Sequence, residues 1–189
     1  MEEELEKELK EIFKIYIRTK QSYESFLNLS EIDKISYFWK HLAFISQKDL
    51  FIEIDKLTSK SYNQKFRLTK LFNKLKLGGN FQKFNFSQTK LKEWEDKLTE
   101  LTSDTEKINT LRSEKYAHSD RGKNEKHKSI QVGFSKFKDL LNLIEDVLKT
   151  IYHDCLNKDI EQDINHFLQK INLLKELQEA LTILEIRQK

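Results

Sequence analysis

The chain has 189 residues, enough to bury a core as one domain, with no proline and only four glycines. At ordinary usage of ~5% proline about nine would be expected, so backbone punctuation is nearly missing and long helices are the simplest outcome. Charged residues make up 34% of the chain, yet the formal net charge is only +3, which excludes a chain-wide nucleic-acid-binding charge and requires any basic patch to be local.

The lone Cys155 excludes an internal disulfide and suits a reducing cytoplasm, the expected location. The opening "MEEELEKELKE" is acidic and does not read as a secretory leader. No stretch approaches ~18 consecutive apolar residues, so no membrane-spanning helix and no membrane partner are expected.

A first helix is predicted from about Glu2 to Leu27, with Leu5, Leu9, Ile12, Tyr16, Tyr23 and Phe26 at helical spacing and early glutamates at its positive dipole end. Ser30 with Asp33 resembles a capping box opening a second helix that runs to about Leu57. Its buried face is expected to use or border Ile32, Ile35, Trp39, Leu42, Ile45, Ile52 and Leu57. A third helix, about Asn63 to Leu77, carries Phe66, Leu71, Phe72 and Leu75 and stops at Gly78-Gly79. Phe81, Phe84 and Phe86 follow as a loop able to fold its rings onto the bundle. A fourth helix, capped by Ser87, is the most regular, with Leu91, Trp94, Leu98, Leu101, Ile108 and Leu111 in register. A fifth runs from about Ser129 to Cys155. A last, about Asp159 to Gln188, carries a stripe from Ile164 to Leu184 wide enough for its own core or a partner chain. The predicted architecture is all-α: an up-down antiparallel bundle of five to six helices. It is one domain over residues 1–189, with a core of about 30–155, an N-terminal helix (1–29) and a C-terminal helix (158–189) serving core or dimer.

Most chemistry can be set aside on residue pattern. His153-Asp154-Cys155 looks suggestive, but adjacent helical positions point apart, and a half-buried thiol is the simpler reading. His41, His153 and His166 are scattered and lack paired ligand spacing, so no protein-bound metal and no cofactor are expected. Gly78-Gly79 lacks the downstream residues of a phosphate-binding loop.

"LRSEKYAHSDRGKNEKHKS", Leu111 to Ser129, is different. Between Lys107 and Lys128 seven basic residues face three acids, a local +4 that exceeds the charge of the whole chain. Phosphate is its natural partner. His118 titrates near neutrality, and Arg112 offers a permanent forked cation suited to a phosphoryl transition state. Metal-free RNA cleavage needs a base for the ribose 2′-hydroxyl, an acid for the leaving oxygen and a cation on the phosphate. Lys115, Arg121, Lys123 and Lys126 would guide an RNA backbone. A plain polar loop, with Arg112 closing a helix dipole, explains the same residues and stays open. On an unbroken helix the six-residue offset turns Arg112 and His118 roughly 240° apart, whereas Arg112 and Tyr116 share a face. Either the helix breaks near Ala117 or a second chain completes the site, as in a twofold dimer.

At these residues the sequence resembles the HEPN family. "RSEKYAH" is similar to its Arg-x(4–6)-His signature, with five intervening residues, and "LRSEKYAHSD" resembles the Leu-Arg-x(4)-Ala-His-x-Asp form of abortive-infection and phage-defence members. The early helix "SYFWKHL" adds to the likeness, which covers roughly Ile32 to Cys155. The resemblance implies a homodimeric helical bundle and a metal-independent endoribonuclease, a defence or toxin component with an antitoxin or other regulatory partner. It implies Arg112 and His118 as catalytic, with Asp120 matching the acid after the histidine. Ser113 departs from the Asn, Asp or His common after the arginine, though its hydroxyl keeps a hydrogen-bonding group there. A non-catalytic RNA- or protein-binding module of the same fold is the alternative.

Overall fold

The computed structural model describes residues 1–32, 36–61, 63–112 and 134–167, together with positions 169, 179 and 183. All regular structure among them is helical: α1 (Glu2–Ile32), α2 (Tyr37–Thr58), α3 (Leu68–Leu75), a 3-10 turn (Gln82–Phe84), α4 (Gln88–Glu100), α5 (Thr102–Leu111) and α6 (Phe134–Leu156). Residues 161–167 are helical as well. The all-α bundle expected from the composition is therefore what forms.

α1 is the spine. Leu5, Leu9, Ile12 and Tyr16 on its inner stripe are fully buried in the main core. α6 runs antiparallel to it: Tyr23 meets the Phe137 ring, Tyr16 meets Glu145, and Glu6 pairs with Lys158 beyond the end of α6. α2 packs along α1 on another side, and near their shared end Phe26, Leu29, Trp39 and Ala43 bury in a small separate cluster. α3 and α4 close the opposite end. There Trp94 is fully buried, stacked between Phe72 (5.8 Å) and Phe86 (5.4 Å), while its indole N–H donates to Asp146 of α6 at 2.7 Å.

Local chemistry moved several boundaries. α1 continues to Ile32, with the Ser30 hydroxyl turned back onto the Leu27 carbonyl inside that helix rather than opening a new one. α2 starts instead after Ser36, whose side chain makes no cap bond. Its buried stripe runs through Trp39, Ala43, Leu50, Phe51, Ile54 and Leu57, whereas Ile45 is exposed and Ile52 half-buried. α3 begins only at Leu68, since the Arg67 guanidinium donates to the Ser59 and Lys60 carbonyls just past α2. α3 ends at Leu75, and Gly78 takes a positive φ of 84° that favours glycine. A Cβ on Gly79 would lie 2.4 Å from two α3 carbonyl oxygens.

The fourth predicted helix is two helices. Leu101 stands between them at φ −87°, ψ 1°, its side chain still in the core. The reason is the run of Thr99, Thr102 and Thr105, whose hydroxyls bond the Glu95, Leu98 and Thr102 carbonyls and compete with the helix ladder. Downstream, α6 is closed by Asn157 in the left-handed region (φ 50°), with the Lys158 N–H returning to the Tyr152 carbonyl. The phenylalanine loop does fold inward: Phe81 and Phe86 are buried and Phe84 packs against the core. Among the described residues no helix is long and apolar enough to cross a membrane.

Candidate functional site

Asn109 and Arg112 lie three residues apart on α5 and its end, so both face the same neighbour. That neighbour is α2, and the group they meet is Asp55. Asp55 follows Ile54 and precedes Leu57 on the buried stripe, and only 3% of it reaches solvent. A carboxylate this deep is costly unless it is paired and hydrogen-bonded. The Asn109 amide donates to its Oδ1 at 2.6 Å, and the Nε of Arg112 sits 3.6 Å from its Oδ2. The latter is a charge contact rather than a short hydrogen bond.

Arg112 is the C-cap of α5, still in helical conformation (φ −61°, ψ −50°), with its backbone N–H returned to the Ile108 and Asn109 carbonyls. Its side chain is 38% exposed while that of Asp55 is 4% exposed. One edge of the guanidinium thus faces a buried anion, and the Nη1–Nη2 pair makes up a second edge of the kind that meets phosphate in a fork. An arginine held from behind loses less freedom when it binds.

Of the residues assigned to the site from the sequence, Arg112 is the one described. Ser113, Lys115, Tyr116, His118, Asp120, Arg121, Lys123 and Lys126 lie outside the described residues, as does the expected helix break near Ala117. The sequence reading missed Asp55 and Asn109. The available signal was one acid inside an apolar helical stripe, four residues after Phe51 and between Ile54 and Leu57.

Elsewhere the chemistry is structural. Burial pushes the Cys155 thiol up to about 11, with the Asp154 charge adding, so it stays protonated near neutrality. His153 is exposed beside Asp154, and His41 is exposed with its ring stacked on Tyr37 at 6.4 Å. Among the described residues no three His, Cys, Asp or Glu side chains converge as metal ligands would. Compared with known proteins, the chain matches no family model, no curated protein and no solved structure.

Proposed function

We propose that the chain is a metal-independent endoribonuclease of HEPN type that acts as a homodimer in defence or as a toxin. The observation that carries this reading is the buried Asp55 set against Arg112, the first residue of the Arg-x(4–6)-His motif. A surface arginine that merely closes a helix dipole has no need of a buried counter-ion on a second helix. A phosphate-binding arginine gains from one, because its orientation is then fixed before the substrate arrives. In this mechanism His118 exchanges the proton with the ribose 2′-hydroxyl or the leaving oxygen, and Arg112 stabilises the phosphorane. Asp55 and Asn109 are positioning residues. Ser113, Tyr116 and Asp120 support the pair, and the lysines and Arg121 of the following segment hold the strand.

The deciding experiment is incubation of purified full-length protein with single-stranded RNA in EDTA. Wild type should cleave, His118→Ala should lose on the order of 10²-fold or more, and Arg112→Lys should fall nearly as far because it keeps charge but not the fork. Equal cleavage by wild type and His118→Ala discards the reading.

A second reading, a non-catalytic binding module, is favoured by one feature. The start of α2 presents Tyr37 at 84% and Phe38 at 60% exposure, with Phe44 and Ile45 also exposed, a patch typical of protein contact surfaces. Partner capture abolished by Tyr37→Ser with Phe38→Ser, together with no RNA cleavage under any condition, would establish it instead.

A further inference from the structure

Two cavities adjoin along the outer side of α4 and α5. One, of about 550 Å³, lies between the C-terminal end of α2, the start of α3 and the α4–α5 break. The other, of about 510 Å³, continues along α5 to Asn109. Thr58, Ser59, Lys60 and Thr105 border both, so they form one groove. It ends at the asparagine that donates to Asp55, one helical turn before Arg112.

Its lining balances three cations, Lys60, Arg67 and Lys92, against three carboxylates, Glu95, Asp96 and Glu106, with a row of threonine hydroxyls between them. Leu98 is the single apolar side chain among its described lining residues. Thr58, Thr99 and Thr105 already give their protons to the Ile54, Glu95 and Thr102 carbonyls. A hydroxyl so committed offers only lone pairs outward. Glu95, Asp96 and Glu106 are acceptors too, paired with Lys76, Lys92 and Lys60, so along this row the remaining capacity is for a hydroxyl donor, while the cations of the lining suit an anion. At the rim, Lys60 and Lys92 are 76% and 71% exposed and pair with Glu106 and Asp96. Such exposed pairs contribute little and exchange readily for another anion. A ligand with donors facing inward and spaced negative charges facing outward fits both features.

We propose that this groove receives the RNA strand leading to Arg112, sugar edge inward, with ribose 2′-hydroxyls donating to the threonine and carboxylate oxygens. The inference rests on the ribonuclease reading for its substrate class and adds that RNA is separated from DNA at binding, before any chemistry.

The test is fluorescence anisotropy of the full-length protein in EDTA with a labelled 12-nucleotide single-stranded RNA and its DNA counterpart. The His118→Ala variant serves as background so that the probe survives. RNA should bind about tenfold more tightly than DNA, the equivalent of two or three hydrogen bonds. Thr99→Val with Thr102→Val and Thr105→Val should bring RNA down to the DNA affinity and leave DNA unchanged, whereas the three serine replacements should keep the preference. If the triple valine chain fails to fold, Thr99→Val alone, at an exposed position, should lose about threefold on RNA only. Lys60→Gln and Lys92→Gln should weaken both nucleic acids and reduce the salt slope by about one each. Equal binding of RNA and DNA by the background protein, or a preference that survives the valines, overturns the groove. Cleavage that depends on His118 would still stand in that case. A preference lost in the valines without any cleavage by wild type would sink the nuclease and keep the groove.

Discussion

Two of the places where the described residues hold carboxylates between helices differ in what faces them. On the α1–α6 side, Glu145 accepts from the fully buried Tyr16 hydroxyl and from Lys20 at 2.9 Å. Beside it, Asp146 accepts from Trp94 and pairs with Lys90 at 3.3 Å. At the α2–α5 end, Asp55 is deeper than either, yet its charged partner is an arginine more than a third exposed. The first pair of carboxylates binds helix to helix. Asp55 spends its charge on a side chain that reaches out of the fold. A buried anion facing a solvent-directed cation is what a preorganised binding group requires, and it adds little to stability that an apolar residue could not supply.

The comparison can be broken first at its most buried point. Trp94→Ala should cost about 3–5 kcal/mol, by opening a cavity between Phe72 and Phe86 and removing the indole donor to Asp146. Chemical denaturation with a single transition would measure it.

Next is Glu145. Burial opposes its ionisation, but the bonds from Tyr16 and Lys20 outweigh that and hold the carboxyl down at about 2. Above the unfolded value near 4.5 this clamp is at full strength. As pH falls from there toward 2 the unfolded chain takes up the proton first and the stabilisation is lost. Glu145→Gln should therefore cost about 2–3 kcal/mol at pH 7 and flatten the acid limb of the stability profile, without touching the proposed RNA cleavage. An acid limb as steep as in wild type would refute the assignment.

Asp55→Asn should behave in the opposite way. It should change melting by little and lower the kcat of the proposed cleavage by about 10- to 100-fold at unchanged KM, because the arginine is misaimed rather than removed. Loss of stability with full activity would make Asp55 a plain helix staple like Glu145. Smallest of all, Cys155→Ala should leave the proposed cleavage unchanged, and native Cys155 should react slowly with iodoacetamide at pH 7.5 and quickly once unfolded.

How far this was legible from residues alone varies by region. The apolar stripes of α1 and α6, and the inward phenylalanine loop, follow from spacing, because a helix with one apolar face has only one way to bury it. Boundaries set by side-chain hydroxyls were harder. Ser30 reads equally well as a cap and as an internal donor to the preceding turn, and the threonines around Leu101 keep the apolar register while weakening the ladder beneath it.

Composition, the absence of proline and helical periodicity were enough to determine an all-helical bundle and to mark Arg112 as the start of a basic, titratable stretch. Those properties depend on neighbours three and four residues apart, which a sequence displays directly. Tertiary packing alone decided that Asp55, 57 positions upstream of Arg112, would lie beneath it, and that α2, α3, α4 and α5 would wall a groove ending at Asn109. Asp55 on its own reads as an isolated acid in an apolar stripe. Its meaning comes from the helix laid across it, since the energy of a buried charge is set by what surrounds it in space.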